Sequence, residues 1–442
     1  MNCLRPHIIF FLMLLSFSVT GQGFNLPEGQ KSEKVKFQLI NNLIIVPIEV
    51  NGTELSFLLD SGVSSPILFN ISETDSVQIN HVSEITIKGF GDNEPIKALA
   101  SKGNQFRLKN IVNENQKLFV VMDKSINFST SLGIPVHGII GYDIFRDFVV
   151  DINYTKKSIR FRDPETYVYR ENKSNEVLPL SIRAKKAYLN TGLYLNDGKE
   201  VSARLLLDTG SSDALWLFES DSVQVPDKHY DDFLGKGLNG NIYGKRTKVN
   251  GLKIGRFMLN DAKAAFPDKD SFRELTNLVN RNGSLGGSVL KRFRVVFDYQ
   301  RNRIILRKNS NFNRPFKYNL SGLDLQHAGI RYIAESISDG RGVVYADKRE
   351  FGNVQLLFEN QTRLSVAPEI IVSSIRAGSP AHEAGLQEGD VILAVNGKSV
   401  HRYKLQDILE MINEKEGKRI KLLIERYNSD LLFTFVLKNM LK

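Results

Sequence analysis

One internal duplication constrains this chain more than any other feature. Asn51-Gly52 leads through Glu54–Leu59 to Asp60-Ser61-Gly62 and then Ser64–Phe69. Further on, Asn196-Asp197-Gly198 leads through Val201–Leu207 to Asp208-Thr209-Gly210 and then Ser211–Phe218, with the two aspartates 148 residues apart. A second pair follows in the same order. Ile139-Ile140-Gly141 precedes Tyr142–Tyr154, and Ser284-Leu285-Gly286 precedes Gly287–Tyr299, an offset of 145. A single Asp-[Ser/Thr]-Gly is a weak signal, expected about 0.2 times by chance in such a length. Two copies, each after an apolar run and each followed by a similar glycine step, define a duplicated unit over 35–165 and 175–308.

Each unit reads as strand. Val35–Ile40, Leu43–Val50, Leu55–Leu59, Ile85–Phe90 and Leu118–Met122 are short β-branched or aromatic runs bounded by turn residues. Asn51-Gly52 and Asp197-Gly198 are hairpin signals. Helices are few. Asp143–Phe148 and Ser288–Phe293 predict one or two turns each, and Ser271–Asn280 another. Polar Glu171–Glu176 reads as the linker between units, and a second polar stretch follows Leu306.

The remainder, 318–442, matches neither unit. Ile370–Ile375, Val391–Val395 and Leu431–Leu437 read as strands, while Leu405, Ile408, Leu409 and Ile412 mark one face of a helix. Ser379 before Pro380 is a helix start, and Asn396-Gly397 is a hairpin turn. Gly397-Lys398-Ser399 is no phosphate loop, because Ile392 stands where that motif needs its first glycine.

The first 21 residues form a separate element. Arg5 precedes the apolar run Ile8–Val19, and a small-residue step ends at Gly21. This is the layout of a secretory signal peptide, too short to span a bilayer comfortably. The expectation is an exported protein, periplasmic or secreted, with no stable membrane span after cleavage. The single cysteine, Cys3, excludes an internal disulfide and a cysteine nucleophile in the mature chain. A net charge of +10 is spread among interspersed acids, so the charge marks a solvated surface and no nucleic acid is expected as a partner. There is no Gly-x-Ser-x-Gly elbow, no His-Glu-x-x-His, and no close metal spacing among the seven histidines.

Leu205–Phe218 and Phe57–Phe69 resemble the active-site strands of aspartic peptidases of the pepsin and retropepsin kind. His137–Phe145 and Gly283–Phe293 resemble the glycine segment that packs beneath each active-site loop there. Arg376–Val400 closely resembles the central segment of bacterial PDZ domains. The implied fold is mainly β: a bilobal aspartic-peptidase-like fold of two homologous lobes, followed by an α+β PDZ domain.

The resemblance implies an aspartic endopeptidase acting on a polypeptide substrate. Asp60 and Asp208 would form the dyad, which shares one proton and activates a water, with no metal and no cofactor. Ser61 and Thr209 would tie the loops by hydroxyl contacts, with Gly62 and Gly210 allowing the turns. Ser211 stands where such proteins often place a hydroxyl on the catalytic carboxylate. Val63 holds the matching place in the first unit, and that asymmetry predicts Asp208 as the more acidic partner. Phe90, between Gly89 and Gly91, and Tyr243, beside Gly244, are the flap candidates. Trp216 is expected in the core. Gly322, Leu323, Asp324 and Leu325 would form the PDZ loop that takes a terminal carboxylate, with a C-terminal peptide as the implied ligand. Asp324 stands where glycine is common, and the stretch from there to Ser379 is long, with an insert near 336–366. Two alternatives stay open: a non-catalytic exported protein that binds peptides through its PDZ domain, and a peptidase that needs dimerisation.

Overall fold

The computed structural model describes residues 23–71, 76–87, 96–123, 126–195, 198–237, 240–272, 281–338, 343–345, 355–357 and 360–442. The segment 1–21, Phe90 with its flanking glycines, and most of Ser271–Asn280 lie outside the described residues.

The chain is mainly β, and the duplication is reproduced strand for strand. The first eight-stranded sheet runs, in spatial order, 38–40, 43–50, 53–59, 138–140, 67–68, 111–121, 96–108 and 83–87. Its counterpart runs 181–183, 186–194, 200–208, 283–286, 215–217, 257–267, 240–254 and 230–237. In each, an additional pairing folds the sheet back on itself: 43–50 with 96–108, and 186–194 with 240–254. The aspartate strand of each sheet lies parallel to the strand that carries the later glycine step, with Leu59 opposite Ile140 and Asp208 opposite Gly286. The last residues before each aspartate, Phe57–Leu59 and Leu205–Leu207, are apolar and buried on both faces.

A third sheet joins the two halves. Its six strands run 32–36, 158–162, 149–153, 293–298, 303–308 and 175–179. Val149–Asn153 of the first half pairs antiparallel with Phe293–Asp298 of the second. Asp151 lies at this seam and accepts two bonds from Arg294, at 2.8 and 2.6 Å, and one from Arg162 at 3.1 Å. Buried side chains of both halves form one continuous core that includes Phe145, Phe161, Phe293 and Phe297.

The last portion forms a separate sheet of 323–338, 360–375, 391–395, 419–426 and 429–436, with 398–399 beside 391–395. It has its own core, including Leu323, Val372, Ile392, Ile408 and Ile424. Ser379 caps the short helix Pro380–Glu383 by accepting from the His382 N–H, and Pro380 occupies the first turn. The long stretch between Asp324 and Ser379 is occupied by a β-hairpin arm, in register from Leu323 opposite Ile375 to Ser338 opposite Asn360.

Candidate active site

The two Asp-[Ser/Thr]-Gly turns meet at the centre of the molecule. The Ser61 N–H donates to Thr209 Oγ1 at 2.9 Å, and the Thr209 N–H donates to Ser61 Oγ at 3.1 Å. Each hydroxyl then donates to the strand opposite: Ser61 to the Leu207 carbonyl and Thr209 to the Leu59 carbonyl, both at 2.7 Å. Ser61 and Thr209 are completely buried, so this exchange satisfies groups that water cannot reach.

The exchange brings Asp60 and Asp208 together, where the charge of one carboxyl acts on the other. The Gly62 N–H donates to Asp60 Oδ1 at 2.6 Å, and the Gly210 N–H donates to Asp208 Oδ1 at 3.1 Å. A Cβ on Gly210 would overlap the Asp60 carboxyl. Beneath the loops, a Cβ on Gly141 would overlap the Asp60 carbonyl, and one on Gly286 would lie 2.5 Å from the Asp213 carbonyl. Only glycine lets these strands approach so closely.

Burial and the facing Asp208 charge push Asp60 up to about 7. Burial also raises Asp208, although Arg281, the Gly210 N–H, Lys186 and the Ser211 N–H pull the other way. It is the Ser211 backbone that reaches Asp208, not the hydroxyl expected from the sequence. The hydroxyl lies against Gly286, 3.0 Å from where its Cβ would be.

An open cleft of about 1840 Å³ contains both aspartates and extends to the third domain. Tyr243 lines it, half-exposed on the hairpin Tyr230–Gly237 and Gly240–Ile254, with its ring 5.6 Å from that of Phe233. Trp216 packs against Leu234, Ile242 and Ala265 and also lines the cleft, which goes beyond the core role expected of it.

Sequence reasoning missed three groups. Lys186 and Arg281 line the cleft beside the dyad. His137 and Asn282 act as matched braces: His137 Nδ1 accepts from the Ser56 N–H, and Asn282 Oδ1 accepts from the Arg204 N–H. Their one-step position before Gly138 and Gly283 was the available signal. Finally, Asp213 pairs with Arg246 at 2.7 Å and Lys263 at 2.8 Å, and Arg246 also reaches Asp232 at 3.3 Å. Against the cost of burial, Arg246 and Lys263 hold Asp213 well below the usual carboxylate range.

The PDZ loop is placed against this network. Gly322 has φ +82° and its N–H donates to Asn319 Oδ1 at 2.8 Å. Leu323 and Leu325 point into the domain core. Asp324 faces the second lobe, where burial and Asp232 push it up to about 6 against Arg246, Lys263 and Arg376. Arg376 stacks over Tyr230 at 4.3 Å. Among the described residues, Leu323–Ser338 is paired along one side only. The groove between its start and the helix Leu405–Met411 opens into the same cleft as the dyad. From the first lobe, Gly133 approaches Leu405, whose Cβ would lie 2.8 Å from a Cβ added there.

Among the described residues, no cluster of three or more His, Cys, Asp or Glu is placed to hold a metal ion, and no helix is long and apolar enough to cross a membrane.

Two matched β lobes whose Asp-Ser-Gly and Asp-Thr-Gly turns interlock make this an aspartic-protease-like fold, with a PDZ domain appended. Residues 46–144 match the family model for an aspartyl protease, and residues 371–426 match that for a PDZ domain. Curated relatives include a probable CtpA-like serine protease of Staphylococcus haemolyticus (strain JCSC1435) and the carboxy-terminal processing protease CtpA of Bacillus subtilis (strain 168). Each is 40% identical over 58 residues, which is 13% of this chain and 12% of the relative. The similarity thus covers about an eighth of those proteins' length.

Proposed function

We propose that the chain is an aspartic endopeptidase that cuts an extended polypeptide lying between its lobes. The observation that carries this reading is the reciprocal Ser61–Thr209 exchange, which holds the two buried carboxyls within electrostatic reach of each other. Two carboxylates so close and so buried hold one proton between them. The ionised member takes a proton from a water held between them, and the protonated member donates to the scissile carbonyl oxygen. The pair titrates as a unit, and either member can carry the shared proton. One chain supplies both aspartates, so no dimer is required to assemble the pair.

Residues 1–21 would direct export, placing the mature chain in a periplasm or outside the cell. The open edge of Leu323–Ser338 would add a peptide strand, with the Gly322 loop receiving its terminus. Because that groove opens into the cleft, a captured tail would be held next to the dyad.

The test is cleavage of an unfolded protein between about pH 3 and 7 by the wild type and by Asp208→Asn, a range set by carboxyl titration. Cutting by the wild type alone is expected. Equal cutting by both would sink the dyad, and silence from a folded wild type would favour peptide binding without hydrolysis.

A further inference from the structure

The hairpin of the second lobe, Tyr230–Gly237 and Gly240–Ile254, forms one wall of the cleft, with Phe233, Leu234, Ile242 and Tyr243 among the lining residues. Its second strand joins the lobe's sheet from Gly244 onward, where Gly244 pairs with Pro267. The Asp268 N–H also donates to the Tyr243 carbonyl at 3.0 Å. Nearer the tip, among the described residues, Gly240–Ile242 pair only with the first strand, and that strand is the edge of the sheet. A two-stranded ribbon is marginally stable by itself, so the wall depends on what fixes its root.

The root is gripped by the PDZ domain. Arg376, just after the strand Asn360–Ile375, stacks its guanidinium over the Tyr230 ring at 4.3 Å, and its Nη1 lies 4.0 Å from Asp232 Oδ1. Its Nη2 donates to the Asn319 carbonyl at 3.2 Å, beside the Gly322 loop. Nε and Nη1 are buried and make no hydrogen bond among the described residues. A guanidinium so placed is unfavourable unless an opposite charge or an aromatic face meets it. The second lobe supplies both, through Asp232 and Tyr230.

From Asp232 the contact continues to the dyad. Arg246 Nε donates to Asp232 Oδ2 at 3.3 Å, and Arg246 Nη1 donates to Asp213 Oδ2 at 2.7 Å. Asp213 lies five residues beyond Asp208 and also accepts from Trp216 Nε1 at 2.8 Å. Trp216 in turn packs against Leu234 and Ile242 of the hairpin. Arg376, Asp232, Arg246 and Asp213 thus form a row of alternating charge from the PDZ domain to the turn that carries Asp208.

We propose that Arg376 is a positioning residue for the peptidase: it pins the root of the second-lobe hairpin, so that the PDZ domain is a strut for the cleft wall that bears Tyr243. This rests on the endopeptidase reading and adds to it a role for the PDZ domain that is separate from any peptide it captures.

The experiment uses the full chain and a reduced, alkylated, fluorescein-labelled protein as substrate. Arg376→Met should raise KM about tenfold and lower kcat less than about threefold, because a displaced wall holds substrate poorly. Partial unfolding would instead lower kcat and leave KM alone. Arg376→Lys keeps the charge and should stay within about threefold of the wild type. Asp232→Asn should match Arg376→Met, and the double variant should be no worse than either single one, as for two residues acting through one contact. Trp216 is the sole tryptophan, so its emission reports the hairpin directly. It should shift to longer wavelength in Arg376→Met and Asp232→Asn and return in Arg376→Lys.

Binding of the same labelled protein to Asp208→Asn gives a readout that needs no turnover, and adding Arg376→Met should weaken it about tenfold. No cleavage by the wild type, with that weakening and the Trp216 shift present, would end the peptidase reading and keep the strut. A wild-type KM and Trp216 emission in Arg376→Met would overturn the strut alone. So would KM effects that multiply in the double variant, because Arg376 and Asp232 would then act apart. Should Arg376→Met unfold the PDZ domain, Asp232→Asn decides the matter from the lobe side: a wild-type KM there overturns the proposal.

Discussion

Ser61 and Thr209 each donate a backbone N–H to the other's hydroxyl oxygen, across 148 residues of sequence and with no access to water. Neither turn can be positioned without the other. Ser61→Ala leaves the Thr209 N–H and the Leu207 carbonyl unpaired in a buried site. Such orphaned groups cost about 1–3 kcal/mol each, so a loss of about 2–4 kcal/mol in urea unfolding is expected, with activity lost as well. Thr209→Ser keeps the hydroxyl and should stay within about 1 kcal/mol of the wild type.

The dyad makes a signed prediction about pH. Burial and Asp208 raise Asp60 to about 7 in the folded chain, so folding favours the protonated form. The stability linked to that proton is fully present below the ordinary aspartate range and is lost as pH rises through about 7. Asp208→Asn removes the facing charge. Its melting temperature should exceed that of the wild type at pH 8, and the gap should close toward pH 4, near the ordinary aspartate value. Its peptidase activity should fall by about a thousandfold or more.

Gly210 and Gly322 separate catalysis from folding. A Cβ at Gly210 overlaps the Asp60 carboxyl, so Gly210→Ala should cut turnover by about a hundredfold or more while the melting temperature moves little. At Gly322 the obstacle is the backbone turn at φ +82° together with Ser379, which a Cβ would overlap. Gly322→Ala should destabilise the PDZ domain by about 2 kcal/mol or more and leave the lobes' hydrogen exchange unchanged.

Asp324 should make the domain contact pH-dependent. Burial and Asp232 raise it to about 6, against Arg246, Lys263 and Arg376. Its protonated form is favoured when the domain is docked, so docking should weaken as pH rises through about 6. Faster proteolysis of the connection near 309–317 at pH 7.5 than at pH 5 would register this, and Asp324→Asn should abolish the difference.

What was legible in the sequence was what repeats. The Asp60 and Asp208 turns, the Gly141 and Gly286 steps and the hairpin at Asn396-Gly397 are local strings whose backbone demands few residue types. The cations of the cleft were not legible. Lys186 and Arg281 lie in different segments and belong to no motif, and only the fold brings both to the cleft beside the dyad. Which group of Ser211 faces Asp208 depends on a turn that the string does not encode. The charge network of Asp213, Arg246 and Asp232 is likewise scattered along the chain and assembled by a single sheet.

The seam between Val149–Asn153 and Phe293–Asp298 has a consequence in time. A ribosome delivers the first aspartate early, yet the strand that fastens the halves together is among the last pieces of the second lobe to emerge. Until then the growing chain can hold both aspartates while the strand that fastens their lobes is missing. The duplicated architecture thus doubles as a clock: the two lobes can be fastened only once the chain has passed Asp298, with the PDZ domain still to follow.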